Sequence, residues 1–257
     1  MTFERLAPRY ERHRPVTAAD RRRLAFMLER CPVPAGGAVL EIGCGTGRLL
    51  RALAGLTPLG RTTGIDPEPE MLIRAGALDV HLGRAERLPL ESGAFDLAFL
   101  WLAFHHVEDK RAAAREMLRV LAPGGHAAIW TLTPEHVQRF HLNPYFPSLP
   151  SVDLPRFEAP ERWMALLVEA GFGPVLEQQV WLRRTTTAGR LAAAVRDRYL
   201  STFDLLPLAE LEAGTRRLEA EARRAPRRRI TYDQVWCLVW AGKGLSAAAS
   251  PPVSSRF

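Results

Sequence analysis

Along the middle of the chain, short and nearly unbroken apolar runs alternate with stretches in which apolar residues recur at helical spacing. The runs fall at Ala38–Ile42, Arg61–Ile65, Val80–Leu82, Phe95–Trp101 and Gly125–Thr131, and they predict strands covered on both faces. The amphipathic stretches lie near Gly47–Ala54, Pro69–Ala75 and Lys110–Leu121, and they predict crossover helices. Strand, helix and strand in repetition imply a doubly wound, mostly parallel α/β sheet with right-handed connections. Within it, "LAPGG" at Leu121–Gly125 is expected to end a helix and turn tightly into the fifth strand.

The flanks keep a different rhythm. Residues 1–36 combine an Arg-rich segment at helical spacing (Leu24, Met27, Leu28) with the breaker "CPVPAGG", and read as an N-terminal helical cap. From about 133 to 160 the chain is rich in proline and aromatic residues, which predicts an irregular insertion that covers a cleft. A helix at Pro160–Ala170, a strand at Val175–Thr187, helices at Ala188–Phe203 and Pro207–Arg224 and a closing strand in "ITYDQVWCLVWAG" complete a domain spanning 37–244. The composition of residues 245–257 predicts a disordered tail.

Composition narrows the picture further. The 257 residues are 47% hydrophobic, enough for a full core in one large domain. No apolar run approaches the ~18 residues a membrane span needs, and the N-terminus is charged where a secretory signal would be apolar. A cytoplasmic protein without a membrane partner is therefore expected. Cys31, Cys44 and Cys237 are scattered, which predicts free thiols and no metal site. The net charge of +7 comes almost wholly from arginine, with Lys110 and Lys243 the only lysines. Acids intersperse the basic clusters and few aromatics accompany them, so solvated helix faces are favoured over a nucleic-acid groove.

The candidate chemistry begins at "EIGCGTG". Its glycines, Gly43, Gly45 and Gly47, have GxGxG spacing, whereas a dinucleotide pyrophosphate is associated with GxGxxG. Glu41 at the end of the first strand suits a cationic ligand group and repels a phosphate. Asp66 ends the second strand, where an acid accepts hydrogen bonds from ribose hydroxyls. An ammonium, a ribose and no phosphate describe S-adenosylmethionine (SAM) better than NAD.

Together, "VLEIGCGTGRLL", "GIDPEPEML", "GRAERLPLESGAFDLAFLWLAFHHVED" and "EMLRVLAPGGHAAIW" resemble a class I SAM-dependent methyltransferase over Ala38 to about Thr133. The likeness is to the small-molecule branch that contains the ubiquinone/menaquinone-biosynthesis and trans-aconitate methyltransferase-like enzymes. That resemblance implies a Rossmann-like, seven-stranded sheet whose last strand is antiparallel. It implies that Glu41 and the backbone of Gly43, Cys44, Gly45 and Gly47 hold the methionine part of SAM, that Asp66 holds the ribose, and that Pro67 and Met71 flank the adenine. Leu102 then packs near the sulfonium. Many members have an aspartate for the adenine amino group where this chain has Arg84, which leaves the backbone of Ala85 and the carboxylate of Glu86 as candidates, and a surface ion pair as the other reading of Arg84.

Methyl transfer is an in-line displacement at an activated carbon, so alignment and water exclusion matter more than a general base. "WLAFHHVED" delivers Trp101, Phe104, His105 and His106 near the reacting methyl. Either histidine can take a proton from a hydroxyl nucleophile, although the segment also reads simply as the opening of the next helix. As adjacent residues of an extended segment, His105 and His106 make a poor metal pair unless the chain bends. By resemblance, Tyr10 and Arg14 of "YxxxRP" lie near the SAM carboxylate or the substrate mouth. Tyr145 in the insertion faces the cleft, and Arg156, like Arg14, is a candidate carboxylate binder. The expected activity is transfer to O, N or C of a small-molecule acceptor; an RNA or protein methyltransferase and a non-catalytic SAM-binding protein are the alternatives.

Overall fold

The computed structural model describes residues 15–244. The predicted roles of Tyr10 and Arg14 and the expected tail at 245–257 lie outside the described residues. Helix α1 (Ala18–Arg30) opens on a capping box, in which the Thr17 hydroxyl accepts the Asp20 backbone N–H and the Asp20 carboxylate accepts that of Thr17. Strands β1 (Ala38–Ile42), β2 (Arg61–Asp66), β3 (Asp79–Leu82), β4 (Phe95–Trp101) and β5 (Leu121–Leu132) follow. Helices α2 (Arg48–Leu53), α3 (Pro69–Ala75) and α4 (Lys110–Val120) connect them. Beyond β5 come α5 (Pro134–Gln138), α6 (Leu149–Asp153), α7 (Pro160–Ala170), β6 (Val175–Thr187), α8 (Ala188–Arg196), α9 (Leu208–Arg224) and β7 (Arg229–Gly242).

These strands form one seven-stranded sheet in the order β3-β2-β1-β4-β5-β7-β6. Pairing is parallel from β3 through β5, and β7 runs antiparallel to both neighbours. The order reverses between β1 and β4, whose C-terminal loops diverge and open a crevice. Strand periodicity sorts the core into two layers. Leu40, Ile42, Ala98 and Leu100 face α4 and α7 on one side, while Val39, Leu97, Phe99 and Trp101 face α1 and α2 on the other.

Two elements differ from expectation. "LAPGG" is no tight turn: Leu121 already pairs with Phe95, and pairing resumes at His126 with Leu97, so Ala122–Gly125 bulge out of a longer β5 with Gly124 at φ +78°. The helix expected over Ala188–Phe203 stops at Arg196, because Arg198 turns to φ +49° and a 3-10 turn occupies Ser201–Leu205.

The cap is also larger than the insertion at 133–160. A third apolar cluster joins Leu142, Phe146 and Leu149 to Leu191, Val195, Phe203, Leu211 and Leu218, so that α8 and α9, inserted between β6 and β7, form its second half. Gly214 sits where α9 crosses the first half, and a Cβ there would run into the Phe146 ring and the Tyr145 carbonyl. Alanine in a helix interior ordinarily gains about 1 kcal/mol over glycine. Gly214→Ala is nevertheless expected to destabilise the protein by about 1–3 kcal/mol through overpacking, seen as a lower denaturant midpoint.

Candidate active site

The crevice at the C-terminal ends of β1, β2 and β4 opens into a cavity of ≈ 770 Å³ that extends under both halves of the cap. Its near end is the glycine loop. Gly43 and Gly45 have φ +76° and +55°, which favour glycine, and a Cβ on Gly43 would strike Ala103. A Cβ on Gly45 would meet nothing within 4 Å, because that face of the residue looks into the cavity.

The loop's hydrogen bonds define what it can hold. Gly43 and Cys44 donate their N–H groups to the Ile65 carbonyl (2.7 and 3.0 Å), Gly45 donates to the Asp66 carboxylate (2.7 Å), and Gly47 donates to the Cys44 carbonyl (2.9 Å). A phosphate cradle needs such amides pointing at the ligand; here they are spent inside the protein. Cys44 is buried and Gly47 packs on Leu78, so neither lines the cavity.

Glu41 lies beneath the loop, fully buried, with Oε2 lacking any hydrogen-bond partner. Burial pushes its pKa up to about 8 against the pull of Arg48, with the Asp66 charge adding to the rise. Asp66 accepts the Gly45 N–H with one oxygen and the Glu68 N–H (3.0 Å) with the other, and burial raises its pKa despite both bonds. Pro67, Met71, Ala85 and Glu86 continue the wall. Arg84 pairs with Glu108 at 3.0 Å and Glu86 at 3.6 Å, so the ion-pair reading of that arginine is the observed one. Glu86 also accepts the N–H groups of Glu108 and Asp109 at 2.9 and 3.4 Å, which ties it to the loop after β4.

At the end of β4, Leu102 adopts φ +52°, a left-handed conformation costing a branched residue about 1–2 kcal/mol. The backbone turns there while the Leu102 N–H donates to the Trp130 carbonyl (2.8 Å), and Leu102 and Trp101 both line the cavity. A 3-10 turn over Phe104–His106 supplies the bend that an extended reading lacks. His105 and His106 lie side by side with centroids 4.0 Å apart, and both line the cavity; His105 also stacks on Phe157.

Three predicted residues lie elsewhere. Phe104 is turned away, edge-on to Trp163 in the opposite core layer. Tyr145 donates its hydroxyl to Glu221 (2.7 Å) and packs within the cap. Arg156 is neutralised by Asp153 at 2.7 Å, behind the wall.

Sequence reasoning missed several lining residues. Arg23, 4% exposed in α1, lies over the Trp236 ring (4.0 Å) and is paired with Asp20. Burial lowers its pKa to about 10, with Asp20 opposing, so it stays charged, and its Nη1 has no partner. Burial alone would raise the pKa of Asp20, but Arg23 and Thr17 outweigh it and hold the group below its ordinary value. The signal was present in α1, where two charged residues share the apolar stripe of Leu24 and Met27. On β7, Tyr232, Gln234 and Trp236 alternate onto the cavity side, joined by His136 of α5, while His141 lines the cavity as a member of the insertion expected to cover the cleft. Burial drives the pKa of His136 to about 4 and that of His141 to about 3, so both rings are neutral at pH 7.

Residues 40–129, which carry the glycine loop, Asp66 and the β4 turn, match the family model described as a methyltransferase domain. Over those residues the chain carries a methyltransferase domain. It is 38% identical over 117 residues to a 37.1 kDa transposon protein of Streptomyces fradiae, covering 42% of this chain and 34% of that one. It therefore spans about a third of that relative's length. To a demethylmenaquinone methyltransferase of Thermus thermophilus it is 29% identical, across 66% of this chain and 90% of the relative. A solved structure of an Anabaena variabilis protein, described as a methyltransferase from an antibiotic biosynthesis pathway, superposes with a TM-score of 0.68 at 22% identity. That match covers 86% of this chain and 96% of that protein, and it bears on the fold of the methyltransferase domain. No helix among the described residues is long and apolar enough to cross a membrane.

Proposed function

We propose that the protein binds SAM at the glycine-loop end of the cavity and methylates O, N or C of a small molecule held under the cap, by direct in-line displacement. The observation that carries this reading is a loop whose amides are spent internally, above a buried carboxyl with one unpartnered oxygen, next to Asp66. Such a site has acceptors for a cationic amino acid and for a ribose and no cradle for a pyrophosphate. When bound, SAM supplies a methyl carbon already activated by its sulfonium.

In this reading the ammonium lies at the glycine loop, above Glu41 and beside Gly43 and Gly45. The unpartnered Nη1 of Arg23, with Arg48 beside it, takes the carboxylate. Asp66 holds the ribose, and Pro67 and Met71 sandwich the adenine, which leaves the Ala85 backbone as its polar partner because Glu86 is occupied. The strained turn at Leu102 seats that side chain against the reacting centre. His105 and His106 stand across from it and accept a proton when the acceptor is a hydroxyl or an amine. A concave cavity of ≈ 770 Å³ beneath the cap fits a small molecule better than an RNA strand or a protein surface. Three buried free thiols suit the cytoplasm.

Calorimetry tests the reading. S-Adenosylhomocysteine is expected to bind in the micromolar range or tighter and NADH not at all; the reverse result removes the cofactor assignment, and with it the reaction.

A further inference from the structure

The far end of the cavity, beneath α8, is lined by polar groups that the cofactor reading does not use. Arg184 of β6 and Tyr232 of β7 are register partners, four residues along the strands from Val180 and Trp236. Trp236 lies under Arg23, so the Arg184 backbone stands about 13 Å farther along the sheet, while its guanidinium reaches back close enough for its charge to lower the Arg23 pKa. The Arg184 charge, close to the Tyr232 hydroxyl, holds down a phenol pKa that burial raises, and no ion pair joins Arg184 to a carboxylate among the described residues. Against the Tyr232 ring lies His141, centroids 3.7 Å apart and nearly parallel, with both ring nitrogens buried and lacking a hydrogen-bond partner. Arg190, in the first turn of α8, lines the same end.

The acids of the chamber do not offset these cations. Asp153 is held by Arg156 and the Thr202 hydroxyl (3.0 Å), Asp20 by Arg23, and Glu86 by Arg84 and two backbone amides. Asp66 and Glu68 belong to the glycine-loop end. A guanidinium, a phenol hydroxyl and a neutral imidazole with a spare donor come together where no uncommitted carboxylate stands among the described residues, and such a donor set matches an anion.

We propose that Arg184, with Tyr232 and His141, is the acceptor-recognition site, and that the methyl acceptor is a small molecule bearing a carboxylate. This rests on the methyltransferase reading of the cavity. It also relocates carboxylate recognition from Arg156, which Asp153 already neutralises, to a cation left open toward the chamber. The carboxylate is the handle and not the methylated atom, since the Arg184 position lies four residues along β6 beyond the one paired with Trp236, on the side of the chamber under α8. The acceptor then spans the chamber, with its anionic end under α8 and its nucleophile toward His105 and His106.

The test is ligand-observed NMR on the full chain saturated with S-adenosylhomocysteine, using a panel of small carboxylates, benzoate and hexanoate among them, each beside its neutral amide. The acid of each pair is expected to bind about tenfold or more tighter than the amide, the scale of a charge-assisted hydrogen bond. Arg184→Gln should abolish that preference and Arg184→Lys keep part of it, with S-adenosylhomocysteine affinity unchanged within about twofold in both. Tyr232→Phe should reduce the preference by a smaller factor. Acids and amides that bind alike, or not at all, overturn the proposal. So does an Arg184→Gln variant that loses S-adenosylhomocysteine instead, because Arg184 would then hold the methionine carboxylate. Failure of the wild-type chain to bind S-adenosylhomocysteine sinks the methyltransferase reading itself, whatever the acids do.

Discussion

Asp66→Ala is expected to weaken S-adenosylhomocysteine binding by about 100-fold or more. The carboxylate accepts the Gly45 N–H at 2.7 Å and the Glu68 N–H at 3.0 Å, so it shapes the glycine loop from below while its remaining lone pairs face the cavity. Hydrogen bonds to a charged acceptor are worth about 1.5–3 kcal/mol each, and two ribose hydroxyls make two of them. Loss of both is about 3–6 kcal/mol, and 100-fold is the lower edge of that range. Asp66→Asn keeps one acceptor oxygen and should lose about tenfold. Because burial raises the pKa of Asp66, affinity should also fall as the pH drops into the carboxylate range, and the alanine variant should show no such fall. Calorimetry beside thermal unfolding of the ligand-free protein separates a lost contact from a collapsed loop. An unchanged dissociation constant would remove Asp66 from the site.

The second large effect concerns Glu41 and the stability of the ligand-free protein. In the unfolded chain this carboxyl loses its proton near 4.5; in the folded protein burial keeps the proton on to about 8. Between those values the unfolded state releases a proton that the native state retains. Stability is therefore fully present below about pH 4.5, falls as the pH rises toward 8, and levels off above it. Glu41→Gln cannot ionise. It should match the wild type at pH 4 and be more stable at pH 9, by about 5 kcal/mol at roughly 1.4 kcal/mol per pKa unit. Binding should reverse the advantage. A ligand ammonium over Glu41 draws the carboxyl toward its charged form, so the wild type should release a proton on binding S-adenosylhomocysteine near pH 7. Titrations in phosphate and in Tris, whose ionisation heats differ, would expose that proton, and Glu41→Gln should show none. Superimposable pH–stability curves for the two proteins would refute the assignment.

Much of this site was legible in local patterns. Gly43, Gly45 and Asp66 stand where a strand meets a turn, and the chemistry of a turn is set by residues within a few positions of one another. Leu102, His105 and His106 follow β4 for the same reason, although only the structure shows the 3-10 turn that puts both rings on one wall. Arg23 escaped because a charged side chain within an amphipathic helix ordinarily faces water; the Trp236 ring and Asp20 that receive it come from β7 and from the preceding turn of the helix. Arg156 misled in the opposite direction, since its partner Asp153 is three residues away and cancels the charge its composition advertises.

By itself the sequence determined the strand and helix periods, the doubly wound half from β1 to β5, and the residue types that ring the cofactor end. Each of these is encoded within a window of about thirty residues, the length of one strand–helix–strand unit. Tertiary structure alone decided the acceptor chamber. The insertion after β5 and the helices between β6 and β7 are far apart in the chain, and they bury apolar surface against each other through Phe146, Leu149, Leu191 and Phe203. That packing brings His141, Tyr232 and Arg184 to one wall. Their meeting depends on long-range burial, to which no local period corresponds.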